Sequence, residues 1–205
     1  MQKKRPFPTF QLLIHLLAWL PLLWLLWAYW QDQLGFNPVR TMTLRTGKTA
    51  LILLLLSLTC TPLNLIFGWK WVYRLRRPSG VYAFFYAALH FLTFVGLDYG
   101  FDLALAADAL RINRFALVGL ASFLILLPLA VTSTRRAMLW MGEKRWRWLH
   151  RLSYLAAALA ILHYALLVRQ YYTQPIIFGA ILALLLGVRL VVRRSASSKE
   201  QKFNI

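Results

Sequence analysis

The sequence predicts an all-α membrane protein with six transmembrane helices and both termini in the cytoplasm, and three observations carry that expectation. Six stretches contain no Asp, Glu, Lys or Arg: 11–31, 49–69, 78–97, 115–134, 152–168 and 170–188, each 17 to 21 residues long. Hydrophobic residues make up 60% of the 205-residue chain, more than a soluble domain of this size can cover with polar surface. The basic residues gather in alternate gaps between the stretches. At ~1.5 Å per residue, a helix of such length crosses a hydrocarbon core of roughly 30 Å. In lipid a single segment satisfies its own backbone only as a helix, so each stretch is read as one.

The first span covers about 10–30, with Trp19, Trp24, Trp27, Tyr29 and Trp30 toward its outer end. It is too long for a signal-peptide core and lacks a small-residue cleavage site, so it is expected to stay as an anchor. The second, about 49–67, carries Pro62, which removes a backbone donor and should kink it. Trp69, Trp71 and Tyr73 follow as an inner aromatic belt. The remaining spans are about 80–97, 115–131, 149–168 and 175–192. The outer loop 98–114 places Leu103, Leu105, Ala106, Ala109 and Leu110 among acids, a pattern that suits a short amphipathic helix on the membrane surface. The residues after Arg194 read as disordered. With no repeat or low-complexity tract, 1–205 reads as one domain.

The net charge of +18 raises the question of nucleic acid, and its placement answers it. With the N-terminus in the cytoplasm, Lys3, Lys4, Arg5, Lys70, Arg74, Arg76, Arg77, the cluster from Arg135 to Arg151 and the C-terminal residues put 18 of 24 positive charges on one side. Arg40, Arg45, Lys48, Arg111, Arg114 and Arg169 lie outside with four of the six acids. This is a topology signal and an attraction to anionic lipid headgroups; no nucleic acid partner is expected. Cys60 is the only cysteine, which excludes an internal disulfide and a Cys-x-x-Cys-His haem attachment.

Polar groups inside a bilayer are costly, so the four histidines need reasons. A neutral imidazole is a good axial ligand for haem iron, and b-type haem needs no covalent attachment. Spans three and five run in the same direction. His90 lies 10 residues beyond Gly80 and His163 lies 11 beyond Leu152, or ~15 and ~16 Å along their helices. His90 and His163 are thus the leading axial pair, against the plainer reading that each hydrogen-bonds a neighbouring helix. His150, ~20 Å from His163 along the same helix, can serve a second haem, a quinone or a flavin, or simply be solvated beside Arg147 and Arg151. His15 is read as an interhelical or interfacial hydrogen-bonder, with pairing to His150 as the alternative. Arg76 and Arg77 can hold a flavin phosphate or a quinone headgroup, or act only as inside-positive anchors. Trp146, Trp148, Tyr154 and Tyr164 flank the histidines and are read as belt or packing residues.

Several of these segments also carry a resemblance. Arg76-Arg77-Pro-Ser-Gly80 with Tyr86-Ala-Ala-Leu-His90 is similar to span three of the MsrQ (YedZ) family, haem-binding membrane subunits of a periplasmic protein-methionine-sulfoxide reductase system. Gly47-Lys-Thr-Ala50 and Thr61-Pro62 fit its second span. Pro128-Leu-Ala-Val-Thr132-Ser133, Gly142-Glu-Lys-Arg-Trp146-Arg-Trp-Leu-His150-Arg-Leu-Ser-Tyr154 and His163-Tyr164 fit its later spans. The resemblance covers roughly 10–192, and the wider group is the ferric-reductase-like transmembrane domain. It implies haem b, with His90, His150 and His163 matching the family's histidines, and FMN as an associated cofactor. It also implies the quinone pool as electron source, a periplasmic molybdenum-containing reductase as partner, and the bacterial inner membrane as location. Larger relatives carry two histidines in span three, where this chain has only His90, and only 13 residues follow Val192, too few for a flavin and nicotinamide domain.

The expected function is therefore electron transfer from the quinone pool, or from a reduced flavin, to a periplasmic methionine-sulfoxide reductase. A stand-alone ferric or quinone reductase is the alternative within redox chemistry. A haem-free transporter or scaffold is the alternative outside it, though no acid inside a span supports a proton relay.

Overall fold

The computed structural model describes residues 9–168 and 172–203, with side chains described for 12–168 and 172–192. Lys3, Lys4, Arg5 and Arg169 fall outside the described residues. Nine helices follow one another among those described: α1 Thr9–Trp30, α2 Pro38–Phe67, α3 Tyr73–Leu92, α4 Leu103–Ile112, α5 Arg114–Val131, α6 Arg135–Met141, α7 Glu143–Leu149, α8 Leu152–Leu167 and α9 Thr173–Phe203. Six segments are long and apolar enough to cross a membrane, and α7 with α8 makes one of them. The chain is a multi-pass membrane protein.

The boundaries differ from expectation where charge was used to place them. α2 starts at Pro38, eleven residues before the expected 49. Asn37 caps it by accepting the Arg40 N–H at 2.9 Å, and Pro38 takes the first helical position, where a missing N–H costs nothing. Charge limits the part of a helix that lies in lipid, not the helix itself. α2 runs on through Pro62 and ends at Gly68, whose φ of 70° is the left-handed conformation that favours glycine. α3 likewise begins before its expected start at 80, so Arg76 and Arg77 stand on its first turns and not in a loop. It passes into a π-helical turn, Thr93–Asp98, just after His90. α9 continues to Phe203, past the expected disorder at Arg194; the helix-favouring run of Ala, Lys, Glu and Gln there outweighs its polarity. The amphipathic helix expected in 98–114 is α4, capped by Asp102, which accepts the N–H groups of Ala104 and Leu105.

α2, α3, α5 and α8 form the centre, α2 against α3 and α5 against α8, with α1 outside α3 and α9 across α2 and α8. The helices approach closely where residues are small. Ala83, Ala156 and Ala157 are fully buried, and Ser122 donates to the Ala156 carbonyl at 2.9 Å across the α5–α8 contact. Tyr86 is the largest fully buried side chain among the described residues. Its hydroxyl donates to the Ala18 carbonyl at 2.6 Å and accepts the Leu22 N–H at 3.1 Å, two groups that a regular helix would pair with each other. Pro21 lies between them in α1, so the tyrosine completes the backbone bonding of a proline-disturbed turn from the neighbouring helix.

Candidate functional site

His90 is two residues from the end of α3 and His163 four residues from the end of α8. Both ends lie on the side of the bundle where α3 leads toward α4 and α5 begins. The ring centres of His90 and His163 are 5.9 Å apart, with planes inclined at 77°. His90 Nδ1 lies 2.8 Å from the Thr43 carbonyl of α2, and His163 Nδ1 lies 2.6 Å from the Phe115 carbonyl of α5. A carbonyl only accepts, so each Nδ1 carries the proton and each Nε2 keeps its lone pair.

Two glycines make this possible. A Cβ on Gly47 would stand 2.9 Å from His90 Nδ1, and one on Gly119 would stand 2.7 Å from His163 Nδ1. Each imidazole therefore lies edge-on against the bare backbone of the next helix. Thr93 fixes the backbone beside His90 by donating to its carbonyl at 2.8 Å.

The arrangement fits haem iron. Two metal–imidazole bonds of about 2 Å, with about 1.1 Å from each Nε2 to its ring centre, put the ring centres about 6 Å apart. Proton placement by a carbonyl partner at the far nitrogen is the usual way a ligating imidazole is oriented. Among the described residues no group of three or more His, Cys, Asp or Glu converges. Two axial donors alone suit an iron whose other four positions come from a porphyrin, and do not suit a four-coordinate zinc site.

At the opposite end, a cavity of about 230 Å³ is lined by Arg76, Arg77, Trp146, His150, Ser57 and Ser153, among others. His150 occupies the bend between α7 and α8. Its ring stacks on Trp146 with centres 4.0 Å apart, and its Nε2 is 3.2 Å from the Thr132 hydroxyl. Trp146 in turn donates its indole N–H to the Thr132 carbonyl at 2.9 Å. Ser57 donates to the Arg76 carbonyl at 2.7 Å, tying α2 to the start of α3. Among the described residues no carboxylate lines this cavity.

The candidate residues are thus sorted into two groups: His90 with His163 at the α4 end, and His150 with Arg76 and Arg77 at the opposite end. His15 joins neither, since its Nδ1 is 2.9 Å from the Tyr82 hydroxyl. Of the flanking aromatics, Trp146 enters the cavity, Tyr154 lies under Arg189 at 5.1 Å, and the Tyr164 hydroxyl donates to Gln174 at 2.6 Å. Sequence reasoning missed Gly119 and the carbonyls of Thr43 and Phe115. A glycine within a span at the height of a buried histidine is the one readable signal among these; the carbonyls have none.

Residues 43–161 match the family model for the ferric-reductase-like transmembrane component. Relatives named protein-methionine-sulfoxide reductase heme-binding subunit MsrQ match most of the chain. One, from Rhodospirillum rubrum, is 47% identical over 183 residues, covering 88% of each chain. One from Herminiimonas arsenicoxydans is 47% identical over 162 residues, 78% of this chain and 74% of its own. A third, from Caulobacter vibrioides, is 40% identical over 203 residues, 97% of this chain and 96% of its own. With a family match that runs from Thr43 through Ile161 and takes in His90 and His150, and with relatives 40–47% identical over most of its length, this chain belongs to the MsrQ family of ferric-reductase-like transmembrane proteins.

Proposed function

We propose that this chain is the haem b electron-transfer subunit of a protein-methionine-sulfoxide reductase system in the bacterial inner membrane. The observation that supports this reading most is the imidazole pair 5.9 Å apart, each ring proton-fixed at Nδ1 by a carbonyl of another helix. A haem b bound there would supply one-electron storage and transfer. The chain's own part is to hold His90 and His163 as neutral ligands, exclude water with the surrounding apolar helices, and set the local field.

Both termini are assigned to the cytoplasm by the excess of basic residues on that side, so α4 and the imidazole pair lie toward the periplasm. In this reading the electron-donating end serves a periplasmic molybdenum-containing methionine-sulfoxide reductase. The Arg76, Arg77 and His150 cavity then lies at the cytoplasmic side, where electrons enter from the quinone pool or from reduced FMN. The guanidinium groups would bind a phosphate or a quinone oxygen, and the Trp146–His150 stack would face the ring.

The test is a reduced-minus-oxidised spectrum of purified protein. The b-type bands of bis-histidine haem are expected; their absence from a preparation made with ample haem removes the reading.

A further inference from the structure

The two imidazoles are held by one local device that occurs on two helices. In α2 the acceptor carbonyl belongs to Thr43 and the bare backbone to Gly47; in α5 they belong to Phe115 and Gly119. Each glycine stands four residues after its carbonyl. In the helix its N–H therefore bonds that same carbonyl, while its missing side chain admits the imidazole. Both lone pairs of the carbonyl are then taken, one by the glycine N–H and one by the histidine Nδ1–H.

The two copies differ at the residue just before the glycine, which is Thr46 in α2 and Val118 in α5. These side chains share a shape and differ by one hydroxyl. Thr46 is buried, and its Oγ1 lies 2.8 Å from the Met42 carbonyl and 3.0 Å from the Thr43 carbonyl. Its one proton is shared between them, which sets a third donor on the oxygen that orients His90. The Thr43 hydroxyl takes no part, since it bonds the Val39 carbonyl at 2.9 Å and meets the Thr93 hydroxyl at 3.1 Å. Val118 has nothing to donate, and among the described residues no side chain but His163 bonds the Phe115 carbonyl. The distances run the same way, 2.6 Å for His163 and 2.8 Å for His90.

The consequence lies at the far nitrogen of each ring. An imidazole whose Nδ1–H is drawn to a strong acceptor gains imidazolate character, and its Nε2 becomes a better donor to a metal. A carbonyl that also serves a hydroxyl is a weaker acceptor. We propose that Thr46 is a tuning residue: by sharing the Thr43 carbonyl it keeps His90 the weaker axial donor, leaves His163 the stronger, and raises the midpoint potential of the haem they would hold. This assignment rests on the haem reading above.

The test is a potentiometric titration of the purified, haem-loaded protein, with haem content measured beside it. T46V keeps the shape and removes the hydroxyl. It is expected to hold wild-type haem and to favour ferric over ferrous iron at least three-fold more than wild type, a fall of about 28 mV at about 59 mV per ten-fold. T46S restores a hydroxyl and is expected to stay close to the wild-type potential. V118T gives the His163 side the same hydroxyl and is expected to move the potential upward. An unchanged or higher potential in T46V overturns the proposal. So does a fall in T46S as large as that in T46V, which would mark a packing effect, or an unchanged or lower potential in V118T. Loss of haem from T46V overturns it as well, because the hydroxyl would then hold the site and not tune it. Retention of b-type bands by His90→Ala and His163→Ala would instead remove the ligand pair on which the assignment rests, whatever Thr46 does.

Discussion

At the scale of single residues, the imidazole pair depends on atoms that carry no chemistry of their own. Gly119→Ala would push a methyl group to within 2.7 Å of His163 Nδ1, closer than packed atoms tolerate, and the ring has to swing from its carbonyl partner. Loss of most haem from Gly119→Ala is the expected result, read from the haem content of purified protein. Gly179→Ala is the matched control, because its Cβ would meet only Ile161 at an ordinary 3.9 Å. Tyr86→Phe makes a different point. It removes the hydroxyl between Ala18 and Leu22 while keeping the ring, leaving a buried carbonyl and N–H beside Pro21 to find each other. A loss of about 1–3 kcal/mol is expected in detergent unfolding, the usual cost of stranding buried polar groups. The four histidines were legible in the sequence because a polar residue in an apolar run stands out. The partners of His90 and His163 were not, since two are backbone carbonyls and two are glycines, and every residue has a backbone carbonyl.

At the scale of elements, runs free of charge located every membrane-crossing helix but misjudged where several begin. Asn37-Pro38 is a helix start readable without charge, and the charges of Arg40, Arg45 and Lys48 that follow it mask it in a search for apolar runs. Charge likewise hides the start of α3, and the place of Arg76 and Arg77 on that helix is what aims them into a cavity with His150. The matching heights of His90 and His163 were readable because both helices run the same way and rise by a fixed amount per residue. What rise alone leaves open is rotation, and the 5.9 Å separation of the rings settles it. The cavity makes its own prediction. R76Q/R77Q is expected to keep wild-type haem content and to slow haem reduction by a quinol or reduced flavin at least ten-fold, followed by stopped-flow absorbance. Unchanged reduction by both donors would remove the cavity as the entry point.

At the scale of the whole molecule, the two groups of candidate residues lie at opposite ends of one bundle. His150 and His163 are separated by ~20 Å along one nearly continuous helical path. This separation gives the protein a direction, and the orientation proposed from the basic excess puts the His150 end in the cytoplasm. A cysteine introduced at Asp108, in α4, is expected to react with a membrane-impermeant thiol reagent in spheroplasts, and one introduced at Lys144 only after lysis. The opposite pattern would reverse the proposed path of electrons while leaving the helices as they are.

The account turns on two histidines and one iron, and the most direct measurement is haem per protein in the wild type and in the alanine variants of His15, His90, His150 and His163. The expected result is that His90→Ala and His163→Ala each lose most of the haem bound at the α4 end, whereas His15→Ala keeps it and His150→Ala keeps that centre but takes up electrons slowly. Full haem content in both His90→Ala and His163→Ala would contradict the account.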